Sequence, residues 1–165
     1  MMMGLFDRLF KKEEIEYQHG DIVALANADI VPVSQVKDVM FAEEMMGQTL
    51  AFELRDHIVA APCSGTLEVM YPTGHAFAIR CENGLGILVH IGIDTVNLKG
   101  RGFKVFGKQG QKVKANQKLV EVDTQLIREE GYDPTCMMII TEPIHEERIK
   151  FTCGASVKRG QVINQ

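Results

Sequence analysis

The chain has 165 residues, with 18 Lys+Arg against 22 Asp+Glu and a formal net charge of −4. That length supports one domain with a core of its own, and 45% hydrophobic with 24% charged residues excludes a disordered or collagen-like chain. No apolar run approaches the roughly 18–20 residues that a membrane-spanning helix requires, and an acidic balance lacks the basic face that nucleic acid demands.

The first twelve residues carry one apolar stripe. Leu5, Phe6, Leu9 and Phe10 recur at helical spacing, and Asp7, Arg8, Lys11 and Lys12 fill the other side. Two readings of residues 3–12 stand side by side: a helix lying on an anionic lipid surface, and a frayed, mobile tail, because so short a helix is marginal alone in water. The apolar core and small-residue cleavage site of a secretory signal are not found there. From Asp21 onward, short apolar runs bounded by Gly, Pro, Asn or Asp predict strands over 21–25, 29–36, 49–54, 58–61, 66–71, 75–80 and 86–91. Asn83-Gly84 between the last two predicts a tight hairpin, since Asn-Gly readily takes positive φ. Brief helices are expected over 37–46, 124–130 and 144–148. The fold expected is all-β, an antiparallel sandwich or closed barrel.

Gly110-Gln-Lys-Val113-Lys114-Ala-Asn116-Gln-Lys-Leu119 echoes Gly154-Ala-Ser-Val157-Lys158-Arg-Gly160-Gln-Val-Ile163. In each, the Val would anchor a turn in the core while Asn or Gly takes a left-handed conformation. Similar turns occur in lipoyl and biotinyl carriers and in some zinc peptidases, so the echo speaks to fold alone. The four cysteines, Cys63, Cys81, Cys136 and Cys153, form no Cys-x-x-Cys pair and sit in apolar stretches. They read as small buried hydrophobes of a reducing, cytoplasmic compartment rather than as disulfides.

Two of the five histidines have unusual settings. His90 interrupts Ile87-Leu88-Val89-His90-Ile91, so alternation places it with Leu88 and away from Val89 and Ile91. His75 opens its strand after the turn Tyr71-Pro-Thr73-Gly74. Counting outward from Asn83-Gly84 staggers the two rings by two residues, on neighbouring rungs of one hairpin. Three readings remain open for such a pair. They are hydrogen-bonded core residues, metal ligands completed by Asp94 and others, or a neutral nucleophile with a partner that steadies the transferred group.

Leu88-Val-His90-Ile-Gly-Ile-Asp94-Thr-Val96-Asn-Leu-Lys-Gly100-Arg-Gly102-Phe103 resembles the active-site signature of glucose-class enzyme IIA domains of the phosphoenolpyruvate-dependent sugar phosphotransferase system. Thr73-Gly-His75-Ala-Phe-Ala-Ile79 is similar to that family's second histidine motif. Asp38-Val-Met-Phe41-Ala-Glu43, Val59-Ala-Ala-Pro62, Gly65-Thr66 and Gly110-Gln-Lys-Val113 match in order, and Met3-Gly-Leu-Phe-Asp-Arg-Leu9 resembles the tail of free-standing members.

The resemblance implies a β-sandwich phosphocarrier in residues 19–165, behind an amphipathic tail over 1–18. Phospho-HPr would donate to Nε2 of His90, and the phosphoryl group would pass to a cysteine of a sugar-specific IIB domain of an IIB/IIC permease. His75 would hydrogen-bond the phosphoryl oxygens, Thr73 would orient His75, and a backbone carbonyl would fix the His90 tautomer. Val39, Met40, Phe41, Met45, Met46, Leu88 and Val96 would form an apolar apron able to meet several partners. Asp38 and Asp94 would pair with arginines of incoming domains. No resident cofactor and no metal is expected, although the resemblance leaves room for zinc bridging both histidines to a partner. Location would be cytoplasmic, with peripheral membrane contact through residues 3–12. The chain departs from the family at Val23–Asp29, where Pro and Gly are usual, and at Tyr71, Arg80, Gly86 and Leu88. A regulatory binding module of the same fold without phosphotransfer is the alternative. A zinc hydrolase would need a His-x-His pair and a carboxyl carrier a Met-Lys-Met-like tip, and neither occurs.

Overall fold

Period-two alternation sets most of the architecture, and a computed structural model describes it for Gly4 and residues 14–165. The stripe Leu5–Phe10 lies outside the described residues. The strands are β1 (Ala28–Val31), β2 (Gln48–Leu54), β3 (Ile58–Ala60), β4 (Gly65–Met70), β5 (Ala76–Cys81), β6 (Gly86–Ile91), β7 (Phe103–Val105), β8 (Lys112–Val113), β9 (Lys118–Val122), β10 (Cys136–Glu142) and β11 (Ser156–Val157). Two helices accompany them, α1 (Val39–Ala42) and α2 (Thr124–Glu129). One sheet runs β11-β1-β2-β10-β6-β5-β4-β8 and the other β3-β9-β7, with every pairing antiparallel.

Strands β2 to β6 fall within a residue of the expected runs. The run over 29–36 is cut short at Val31 because Pro32 has no N–H to give a ladder. Residues 21–25 form no strand; they carry the isolated bridge Val23–Val162 and single backbone bonds to 60–62 and 160–163. The helix expected over 37–46 shrinks to α1, capped by Asp38, whose carboxylate accepts from the Met40 N–H at 2.8 Å. No helix forms over 144–148. That stretch is exposed throughout, so no buried face holds a helix together. Its end is instead pinned by the Gln48 amide, which donates to the Ile149 carbonyl and accepts from the Ile149 N–H.

Strand β10 lies between β2 and β6 and separates two apolar clusters. Cys136, Met138 and Ile140 face the main core, while Met137 and Ile139 face a smaller cluster with Val36, Phe41, Ala51 and Ile93. The smaller cluster matters for function, because Met137 stands opposite His90 in the ladder and so shares its face.

The echoed turns are structurally equivalent. Val113 and Val157 are buried, and Asn116 and Gly160 both take positive φ, at 68° and 85°. The Lys114 and Lys158 N–H groups donate to Gln117 and Gln161 side chains, and Asn116 and Gly160 N–H groups donate to the Ala61 and Ala24 carbonyls. The cysteines need a correction. Cys63 and Cys81 are joined as a disulfide with Cα atoms 5.9 Å apart, while Cys136 is buried and free, and Cys153 is free and half-buried. Cys81 pairs with Gly65 across β4 and β5, which brings Cys63 beside it, a proximity that residue spacing does not reveal. Among the described residues no helix is long and apolar enough to cross a membrane.

Candidate functional site

The β5–β6 hairpin turns through a longer loop than Asn-Gly alone suggests. Cys81 N–H donates to the Leu85 carbonyl and Gly84 N–H to the Cys81 carbonyl, so the register centres on Asn83. His90 therefore pairs with Ala76, and the stagger between the histidines is one residue rather than two. Strict alternation would put His75 on the opposite face from His90. It escapes because it precedes β5, after Gly74 at φ 74°, where a Cβ would lie 2.9 Å from Phe103 Cβ. The turn thus packs against β7 and swings the His75 ring over His90. The ring centroids are 5.4 Å apart in an edge-on arrangement at 79°.

Each ring is held at one nitrogen. Nδ1 of His90 lies 2.7 Å from the Gly92 carbonyl oxygen. A carbonyl only accepts, so Nδ1 carries the proton and Nε2 of the neutral ring keeps its lone pair free. Nδ1 of His75 lies 2.6 Å from Thr73 Oγ1. When that hydroxyl donates, the His75 proton sits on Nε2. Burial pushes both imidazoles below their ordinary value. For His75 the neighbouring His90 ring acts in the same direction. For His90 the Gly92 bond and the charges of Asp38 and Asp94 oppose burial without overcoming it.

Phe41 and Tyr71 wall the pair. The Phe41 ring sits 5.1 Å from His90 and the Tyr71 ring 5.0 Å from His75. Phe41 is buried, and Met46 and Leu88 are half-buried against the smaller cluster, so these three support the site from below. The open apron is Val39, Met40, Met45 and Val96, which are 60%, 47%, 64% and 50% exposed. Asp94 adopts φ 59° ahead of the short turn Thr95–Leu98, and the buried Thr95 hydroxyl donates to the Ile91 carbonyl beneath it. Among the described residues no three metal-ligating side chains converge. The sequence did not single out Tyr71 or Gly92 as parts of the site. The only signals were the Tyr71-Pro-Thr-Gly turn and the glycine set between Ile91 and Ile93. A neutral histidine with a free Nε2, a second imidazole over it and a shallow apolar surround suits group transfer between proteins better than capture of a small molecule.

Residues 20–145 match the family described as phosphoenolpyruvate-dependent sugar phosphotransferase system, EIIA 1. The chain belongs to this family. It is 35% identical over 139 residues to the glucose-specific EIIA component of Bacillus cereus, covering 84% of each chain. It is 41% identical over 121 residues to the glucose-specific EIICBA component of Streptococcus pneumoniae, covering 73% of this chain but 17% of that much longer one. The solved glucose permease IIA of Mycoplasma capricolum superposes with a TM-score of 0.82 at 34% identity, over 87% of this chain and 93% of that one. As an EIIA component the protein is a phosphotransferase-system phosphocarrier, which takes up a phosphoryl group and hands it on.

Proposed function

We propose that Nε2 of His90 carries the phosphoryl group. Phospho-HPr approaches the apron, its P–N bond breaks, and a new P–N bond forms to the free Nε2 lone pair. In the second step a cysteine thiolate of a IIB domain attacks, forming a P–S bond as the His90 bond breaks. The EIICBA relative, in which such a domain belongs to one longer protein, supports a IIB/IIC permease as the partner. The glucose-specific relatives support a sugar of the glucose class, and the phosphorelay places the work in the cytoplasm.

The observation that carries this reading is the His90 Nδ1–Gly92 carbonyl bond at 2.7 Å. It fixes the tautomer, while burial keeps the ring neutral, so the nucleophile needs neither a base nor a metal to be ready. His75, oriented by Thr73, donates from Nε2 to an oxygen of the phosphoryl group on His90 and stabilises the charge that spreads over the group in the onward transfer. Asp38 and Asp94 attract arginines of incoming domains to the rim. The test is phosphorylation with phosphoenolpyruvate, enzyme I and HPr, followed by intact mass and peptide mapping. A single acid-labile phosphoryl group on His90, absent in His90→Gln, is expected. No uptake from an active relay would overturn the reading and leave a binding module.

A further inference from the structure

Thr73 secures His75 at Nδ1 alone, and a ring held at one atom can still pivot about that bond. The opposite constraint comes from the same turn. The Tyr71 ring lies 5.0 Å from the His75 ring, tilted by 56°, so His75 has an aromatic neighbour in addition to His90. The backbone of Tyr71 is itself fixed. Its N–H donates to the Ala76 carbonyl at 3.2 Å, and its carbonyl accepts from Gly74 N–H at 2.8 Å. The His75 carbonyl in turn accepts from Ile91 N–H at 2.7 Å, which ties the end of the turn to β6. Tyr71, Thr73 and His75 therefore converge as one rigid unit over His90.

We infer that Tyr71 is a positioning residue that holds the His75 imidazole over His90 for the onward transfer step. The inference rests on the roles proposed for His75 and His90. Tyr71 is 46% exposed while His75, whose ring it neighbours, is 5% exposed, so the phenol contributes to the cover over His75. Removing it lets water reach His75 and lets the ring swing from the place where its Nε2 proton meets the phosphoryl group. Among the described residues the Tyr71 hydroxyl makes no hydrogen bond, so the ring and not the hydroxyl performs this task. Geometry of this kind matters because a misplacement of about 1 Å can cost as much as about a hundredfold in rate.

The experiment compares the full chain with Tyr71→Phe, Tyr71→Ala and His75→Gln. Phosphoryl uptake from phospho-HPr and delivery to a IIB domain are measured separately, and the imidazole nitrogens are followed by NMR through a pH titration. His75→Gln is expected to accept the phosphoryl group but deliver it poorly. Tyr71→Ala is expected to follow it, with uptake within about twofold and delivery slowed about tenfold. Its His75 titration moves up toward the ordinary value as water gains access. Tyr71→Phe retains both steps and the native titration. A His75→Gln variant that loses both steps equally would sink the roles proposed for the histidines. If His75→Gln separates the steps but Tyr71→Ala only raises KM for both partners, with His75 unmoved, Tyr71 is a docking residue and the inference fails. Equal damage from Tyr71→Phe would also overturn it, by assigning the work to the hydroxyl. Should Tyr71→Ala fold poorly, Tyr71→Leu carries the same comparison.

Discussion

His90 resists protonation because its surroundings remove water faster than Asp38 and Asp94 supply attraction. His75 is depressed in the same way, first by burial and then by the neighbouring ring. The consequence for stability follows from proton counting. Between the depressed native values and the ordinary value of about 6.5, the unfolded chain binds protons that the native rings refuse, so stability falls as pH drops through that window. Thermal melts should therefore show a decline from about pH 7 to about pH 5.5 that is shallower in a His75→Gln, His90→Gln double variant. Identical slopes would mean that the rings titrate normally. Residue type and strand alternation made the settings of His75 and His90 legible in the sequence, whereas the roles given to Thr73, Asp38 and Asp94 came only with the family resemblance. Phe41 was legible only as an apolar residue near the site. That it lies buried under His90, while Val39 and Met40 stand open, depends on how α1 rests on the β10 face, and a four-residue helix has too little periodicity to declare it.

At the scale of elements, the β4–β5 hairpin carries Thr73 and His75 at its tip and the Cys63–Cys81 bond at its base. The bond spans a sequence separation of 18, and closing a loop of that size restricts the unfolded chain by about 3 kcal/mol. Reduction should lower the melting temperature by roughly 6–12 °C for a chain of this length. Intact mass with and without a thiol reductant, read beside the melts, checks both halves of the expectation. An unchanged mass on reduction would show that the two thiols are already free. The cysteines misled because burial and pairing both favour apolar settings, and only the β4–β5 register distinguishes them. The same limit hid β10. Its run from Cys136 to Ile140 is buried on both faces, and a continuous apolar run of that length has no periodicity to tell a strand from a buried helical segment. Residues 144–148 failed in the opposite sense, since helical spacing without a face to bury against makes no helix.

Across the whole molecule, the two echoed turns meet rather than merely repeat. Arg159 Nε donates to Asn116 Oδ1 at 3.2 Å, and the segments they serve exchange backbone bonds, Val23 N–H to the Pro62 carbonyl and Ala60 N–H to the Leu25 carbonyl. Residues 22–25 and 59–62 thus lie side by side, each receiving one turn, which is why 21–25 forms no ordinary strand despite its apolar run. This junction joins β3 of the smaller sheet to the chain entering β1 of the larger one, and it places a demand on Gly160. Its φ is 85°, and a Cβ there would lie 2.7 Å from both Asn116 Nδ2 and Tyr17 Oη. Gly131 has a similar φ of 89° but nothing within 4 Å of a Cβ. Alanine at Gly131 should cost only the backbone strain, about 1–2 kcal/mol. Alanine at Gly160 bears the same strain and must also displace the Asn116 amide and the Tyr17 phenol, so it should cost about 1–3 kcal/mol more. Urea unfolding of the two variants measures the difference directly. Because the junction is remote in sequence from Thr73, His75 and His90, folded Gly160→Ala protein should still take up the phosphoryl group at the native rate. Equal costs at the two glycines would mean that the turns are neighbours without a shared packing constraint at Gly160.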